Sequence, residues 1–216
     1  MKAAARLVLA VLAAALFSAI MLTLAAATAQ AQVPAAAQPY RLVLKRNAQM
    51  LWGLDAPVAT FAAQVHQESR WRPDARSPVG ALGLAQFMPA TAGWMGELDA
   101  ELRGPAPANP TWALRALVRY DLWLWQRIKA DDRCERMAFT LAAYNSGLGT
   151  VLKKRADVGC PAGSSCRWFG HAEYSHAGQS AENLRETQGY AQRILWLHEP
   201  AYIAAGWGKG ACHAGS

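Results

Sequence analysis

The sequence predicts an all-α fold with little or no β-structure, built from short helices joined by long, chemically loaded loops. From Tyr40 onward apolar residues recur at helical spacing, and no stretch alternates convincingly with a period of two. The punctuation is also that of helices: Asn109-Pro110 and Ser180 read as starts, Gly147 as a stop. A length of 216 residues fits one domain, and 53% hydrophobic against 17% charged residues is too apolar for a disordered chain.

Residues 1–31 carry Lys2 and Arg6, then an uncharged run from Leu7 to Ala27, then the small-x-small triplet Ala29-Gln30-Ala31. This is the pattern of a secretory signal, with an uncleaved membrane anchor as the rival reading. Gln32-Val33-Pro34 after the triplet favours cleavage, and no cysteine precedes Cys134 to accept a lipid. Residues 32–39, rich in Ala, Gln and Pro, read as a linker, 40–205 as the domain and 206–216 as a C-terminal tail. Removing Lys2 and Arg6 with the signal takes the formal charge from +7 to +5 over 185 residues. A basic chain invites nucleic acid as partner, but export argues against it. Lipid headgroups and the carboxylate-bearing cell wall are the anions met outside the cytoplasm.

The first strong helix spans Ala56–Arg70, with Val58, Phe61, Ala62, Val65 and Ser69 on one stripe and Glu68 beside it near the end. Pro73 to Gly83 is punctuated by Ser77-Pro78 and two glycines. A short helical segment is expected over Ala81–Met88, and another opening at Pro89 and Thr91. Asn109-Pro110 opens a helix to about Lys129 that buries Leu114, Leu117, Leu124 and Ile128. Cys134–Ser146 forms the next, 156–180 is irregular, and Ser180 caps a last helix to about His198 that Pro200 ends.

Four cysteines in an exported chain suggest two disulfides, with three pairings open. Cys160 and Cys166 bracket a loop that can close on itself, which would leave Cys134 and Cys212 to tie the tail to the body. Zinc held with His171 and His176 is the alternative, weakened by the lack of a CxxC pair.

Four clusters have chemical potential. Glu68 ends an apolar helix just before a glycine-rich loop, where lost hydration would raise its pKa and leave it a general acid. Ser77 to Pro89 sets Gln86 in an apolar run, so its amide either bonds to backbone or faces a cleft. Ala142–Gly147 contains Tyr144, sharing a stripe with Met137 and Leu141, followed by Asn145. Glu186 and Tyr190 are four apart on one helical face. Taken singly, each also reads as ordinary structure.

Taken in order, Glu68-Ser69, Gly83-Leu84-Ala85-Gln86 with Met88-Pro89-Ala90-Thr91-Ala92, Ala143-Tyr144-Asn145, and Glu186-Thr187-Gln188-Gly189-Tyr190 resemble the four signature segments of the soluble lytic transglycosylase (SLT) domain, glycoside hydrolase family 23. The resemblance covers roughly residues 50–200. It implies a lysozyme-like, goose-type helical domain that cuts peptidoglycan glycan strands between N-acetylmuramic acid and N-acetylglucosamine, as a monomer in the periplasm, without metal or cofactor. Glu68 would be the sole acid/base. Ser77, Gln86 and Met88 would line the sugar cleft, Tyr144 and Asn145 would orient Glu68 and substrate, and Glu186 and Tyr190 would support the site from the last helix.

Two positions depart from the pattern. Ala85 stands where the family usually has Met, and the Cys160–Cys166 region lengthens the connection to the fourth segment. Most glycosidases use two carboxylates, and Asp74 is the nearby second acid, although its place in Arg72-Pro73-Asp74-Ala75 suits a turn. The resemblance favours one carboxyl, with the muramic 6-hydroxyl attacking within its own sugar to leave a 1,6-anhydro end. A hydrolytic lysozyme and an idle wall-binding or scaffolding domain are the alternatives. A role beside conjugation or secretion machinery, or in wall turnover, is equally compatible. Of nine tryptophans, Trp71 and Trp94 are placed to face sugars, whereas Trp112, Trp123, Trp125 and Trp196 suit a core.

Overall fold

The computed structural model describes residues 32–160 and 163–213, so the expected signal segment 1–31 lies outside the described residues. Eight α-helices occur among them. They are α1 (Arg41–Trp52), α2 (Val58–Ser69), α3 (Pro89–Leu98), α4 (Pro110–Arg127), α5 (Arg133–Ser146), α6 (Leu148–Asp157), α7 (Ala181–Gln192) and α8 (Glu199–Ala204). Short 3-10 turns cover Ala35–Tyr40, Ala100–Leu102 and Ala172–Tyr174, and a π-helical turn over Arg193–His198 joins α7 to α8. Residues 35–39, expected within a linker, are thus helical, and Ala37 in that turn is fully buried.

Helix α2 is the axis of the fold. Every residue from Val58 to Val65 is buried, because α1, the π turn and α8 all pack against it. Burial of side chains such as Phe61 and Val65 contributes about 1.5–3 kcal/mol each. Helices α4, α6 and α7 surround α5 in the same way. The starts follow local chemistry. Asn109 Oδ1 accepts from the backbone N–H groups of Thr111 (2.9 Å) and Trp112 (3.2 Å), Asp132 Oδ1 from Glu135 (2.9 Å), and Ser180 Oγ from Asn183 (3.2 Å). Gly147 ends α5 at φ 87°.

Two expected helical boundaries are corrected. Residues 81–88 do not form a helix; they form a looped hairpin in which Leu82 and Phe87 exchange backbone hydrogen bonds of 3.1 and 3.2 Å. Gly80, Gly83 and Gln86 all have positive φ, which interrupts any i→i+4 ladder. At Gly83 a Cβ would stand 1.9 Å from the Pro107 carbonyl oxygen, so the loop closes only with glycine there. Pro200 likewise does not end the last helical run. It sits in the first turn of α8, directly after the π turn, where the change of hydrogen-bond register accommodates its missing N–H.

The disulfides join Cys134 to Cys212 and Cys160 to Cys166. Cys160, Cys166 and His171 cluster, but both cysteines are consumed by their bond and offer no thiolate to zinc. Residues 206–213, read as the start of a tail, pack into the body. Trp207 is buried, and the fully buried Glu199 accepts from the backbone N–H groups of Ala211, Cys212 and His213, each at 3.1 Å, and from Thr60 Oγ1 at 2.5 Å. Trp71 is likewise core, donating through Nε1 to the Tyr202 hydroxyl at 2.5 Å, and Trp94 is partly buried edge-on against Trp123. Trp196, expected in the core, is half exposed.

Candidate active site

The end of α2, the 77–88 hairpin, the end of α5 and the middle of α7 converge on one cleft of about 650 Å³. Glu68, Ser77, Gln86, Met88, Tyr144, Asn145, Glu186 and Tyr190 all line it. Residues separated by up to 122 positions are therefore brought to one space by the packing of α5 against α7 and of α2 against the π turn that follows α7. Asp74, the other acid near Glu68 in sequence, is exposed and lies outside the lining.

Glu68 sits half-buried at the floor. The Tyr190 hydroxyl donates to its Oε1, and Oε2 accepts no hydrogen bond from the described residues. Burial drives the Glu68 carboxyl up to about 8; the Tyr190 hydrogen bond opposes this and the negative charge of Glu186 adds to it. Burial wins because the walls nearby are aromatic. Tyr144 packs against Phe87 (5.7 Å between centroids) and Tyr120 (5.3 Å). Burial, reinforced by Glu68, also holds the Tyr190 hydroxyl well above its ordinary range, so it remains a donor.

The remaining predicted residues divide by what they touch. Tyr144 donates to the Ala85 carbonyl at 2.7 Å, so the phenol that meets Glu68 is Tyr190. Ala85 is fully buried and contributes that carbonyl. Gln86 Nε2 donates to the carbonyls of Gly83 (2.9 Å) and Ala75 (3.2 Å), which pins the hairpin. Its Oε1 has no such partner and belongs to the cleft-lining residue. Ser77 Oγ accepts from the Ala81 N–H at 2.9 Å. Met88 is exposed at the rim. Asn145 accepts from Thr187 Oγ1 at 3.3 Å, tying α5 to α7. Glu186 pairs with Arg193 at 2.9 Å.

Sequence reasoning missed a second buried acid. Asp121 of α4 is fully buried, and Gln64, one turn before Glu68 on α2, donates Nε2 to its Oδ1 at 3.4 Å. Asp121 Oδ2 and Gln64 Oε1 are both buried without a partner. A proton on Oδ2 makes it a donor, and a carboxylic acid facing a primary amide exchanges two hydrogen bonds. Burial pushes Asp121 well above the usual carboxylate range, against the Gln64 hydrogen bond and with the charge of Glu68. Burial thus favours the protonated form of Asp121, and the charge of Glu68 adds to it once that group ionises.

This geometry has known counterparts. The family profile described as the Transglycosylase SLT domain matches residues 48–164, which takes in the first three signature segments and leaves Glu186 and Tyr190 beyond it. Membrane-bound lytic murein transglycosylase F of Pasteurella multocida (strain Pm70) is 37% identical over 113 residues, covering 50% of this chain and 21% of that protein. The protein of the same name from Vibrio cholerae serotype O1 (strain ATCC 39315 / El Tor Inaba N16961) is 29% identical over 183 residues, covering 76% and 32%. The 70-kDa soluble lytic transglycosylase of Escherichia coli superposes with a TM-score of 0.57 at 28% identity, over 80% of this chain and 25% of that one. The complex of the 70-kDa soluble lytic transglycosylase with bulgecin A gives 0.57 at 27% identity, over 81% and 26%. The chain thus spans a third or less of the length of these relatives. The match across more than half of its residues, on a helical lysozyme-like fold with the signature positions gathered in one cleft, makes this chain a member of the Transglycosylase SLT domain family.

Proposed function

We propose that the chain is a peptidoglycan lytic transglycosylase, cutting the β-1,4 bond between N-acetylmuramic acid and N-acetylglucosamine with Glu68 as its one acid/base. The observation that carries this reading is the Glu68–Tyr190 pair at the floor of the cleft, with the carboxyl raised to about 8. At neutral pH that carboxyl is mostly protonated, as a proton donor to the glycosidic oxygen must be. Oε1 is held by Tyr190, so Oε2 is the atom free to carry the reacting proton.

In the first half of the reaction Oε2–H protonates the leaving oxygen, and positive charge develops at the anomeric carbon, where the substrate's own acetamido carbonyl steadies it. Glu68 is then a carboxylate, stabilised by the Tyr190 donor. It takes the proton of the muramic 6-hydroxyl as that oxygen bonds to the anomeric carbon. The glycosidic bond breaks, an intramolecular C–O bond forms, and Glu68 recovers its proton. No water enters the balance. Attack from within the same ring benefits from a high effective concentration. Asp121, which burial holds toward its protonated form, limits the negative charge that accumulates when Glu68 ionises.

The named activity of the relatives, lytic murein transglycosylase, supports this reading. Export of the chain and a periplasmic site of action belong to the same proposal; among the described residues no helix is long and apolar enough to cross a membrane. Gene deletion distinguishes accessory service to conjugation or secretion machinery, which predicts lost transfer or secretion, from wall turnover, which leaves both unaffected.

The experiment is digestion of purified sacculi with the wild type and with Glu68→Gln, followed by mass spectrometry. Anhydro-ended fragments from the wild type and none from the variant support the proposal. Reducing ends, heavier by one water, would make it a hydrolytic lysozyme. Unaltered sacculi with retained binding would make it a wall-binding domain.

A further inference from the structure

Helix α1 buries Leu44, Asn47 and Ala48 and packs on α4 and α2. Its opposite face carries Leu42, Lys45, Arg46 and Met50 at helical spacing, and Leu54 stands in the turn just beyond. Leu42 and Met50 are each 69% exposed, and Leu54 is 84% exposed. Lys45 and Arg46 are exposed, and their side chains make no ion pair or hydrogen bond among the described residues. The helix has no acidic residue, and none of these five side chains lines the cleft.

The chemistry of this face narrows what can cover it. In a symmetric contact with a second copy, Lys45 and Arg46 would meet cations of the same face, with no acid on the helix to pair them. The nearest acid in sequence, Asp55, is committed to Lys209 at 2.6 Å. An anionic lipid surface satisfies both kinds of residue: phosphates take the two cations, and the apolar side chains reach the acyl boundary. Peptidoglycan offers carboxylates but no apolar layer for Leu42, Met50 and Leu54. The chain leads to the same surface. The uncharged run Leu7–Ala27 ends eight residues before Ala35, the first described helical turn, a connection of at most about 29 Å.

We propose that the outer face of α1 docks the domain on an anionic phospholipid surface, with Lys45 and Arg46 on headgroup phosphates and Leu42, Met50 and Leu54 in the interface. This goes beyond the lytic reading of the cleft and does not depend on it. Helix α4 stands between the two surfaces. Its Val118 carbonyl accepts from Trp52 Nε1 of α1 at 3.0 Å, while its Trp112 and Tyr120 pack against Phe87 of the hairpin at 5.7 and 6.1 Å. Docking through α1 therefore leaves the cleft open to a strand.

The test uses the full chain with carbon-13 methionine methyl groups, on phosphatidylcholine nanodiscs with and without phosphatidylglycerol, each holding a nitroxide-labelled lipid. Met50→Leu assigns the α1 resonance, and Met88→Leu assigns the one at the cleft rim. With phosphatidylglycerol present, the Met50 methyl should broaden while Met88 stays sharp. Lys45→Gln combined with Arg46→Gln should cut the paramagnetic rate at Met50 by about fivefold or more, since each cation near such a surface is worth about that factor. Lys45→Arg should leave the rate unchanged, and an unchanged melting temperature keeps the comparison one of docking. Equal broadening with and without phosphatidylglycerol, equal broadening of Met50 and Met88, or none at either, would overturn the proposal. A Met50 resonance that stays sharp on nanodiscs but shifts with protein concentration would overturn it in favour of a second copy. Binding to purified sacculi lost in the double variant, with Met50 sharp on nanodiscs, would overturn it in favour of the wall. Cleavage of sacculi is read separately; its failure would remove the lytic reading and leave the lipid result standing.

Discussion

The Tyr190 hydroxyl donates to Glu68 Oε1 across 122 residues of sequence, joining the last turn of α2 to α7. One donor thus steadies the carboxylate that forms after proton transfer, while burial keeps the resting carboxyl protonated. Activity should hold below neutrality and fall as pH rises through about 8, where the proton donor is lost. In Tyr190→Phe the opposing hydrogen bond is gone, so the alkaline limb should move to higher pH. Maximal rate should drop by about tenfold or more, the worth of a hydrogen bond to a charged group. Steady-state rates on sacculi from pH 5 to 10 read both; a limb that moves to lower pH would contradict the assignment.

Glu68 costs the fold stability. Its folded-state pKa lies above the unfolded value of 4.5, so the folded state binds the extra proton between 4.5 and about 8. Relative stability is fully present below 4.5 and is lost as pH rises toward 8. Glu68→Gln, neutral throughout, should therefore stabilise the protein near pH 8 and have little effect near pH 4. Discounted for solvent at the cleft mouth, the gain is about 1–2 kcal/mol. Urea unfolding at the two pH values checks it, and an equal effect at both would remove the shift from the account.

Asp121 and Gln64 form the second pair. If the acid is neutral, Asp121→Asn should cost less than about 1 kcal/mol and leave the alkaline limb of activity in place. Asp121→Ala leaves the Gln64 amide buried and unpaired, at about 2–3 kcal/mol. A limb that shifts to lower pH in Asp121→Asn would mean that a negative charge had been removed from beneath Glu68, and that Asp121 is ionised in the native protein.

The disulfides should differ in weight. Cys134–Cys212 closes a separation of 78 residues and clamps the segment that Glu199 also holds, whereas Cys160–Cys166 spans six. Replacing the first pair with serines should cost about 3–4 kcal/mol and the second about 2 or less, by thermal and urea unfolding without reductant. Equal losses would show that the 206–213 segment holds without its covalent tie.

The helices were legible where apolar spacing and caps agreed, as at Asn109-Pro110, Ser180 and Gly147. The 81–88 hairpin was not, because its apolar run suits a helix and only the positive φ of Gln86 and the contact of Gly83 with Pro107 forbid one. Both are properties of packing. Glu68, Gln86 and Tyr144 could be singled out as unusual neighbours of apolar stripes. That Tyr190, not Tyr144, would reach Glu68 depends on where α7 docks, which spacing within a helix does not encode. Asp121 did leave a trace: the buried stripe Leu114, Leu117, Leu124 and Ile128 has its middle place at 121, so an acid stood on a core position.

The most direct test of the central claim is the titration of the Glu68 side chain itself, by carbon-13 NMR of glutamate-labelled protein with Glu68→Gln identifying the resonance. The account predicts a midpoint near 8, moving upward in Tyr190→Phe. A midpoint near 4.5 would contradict it, because Glu68 would then be a carboxylate at neutral pH with no proton to give.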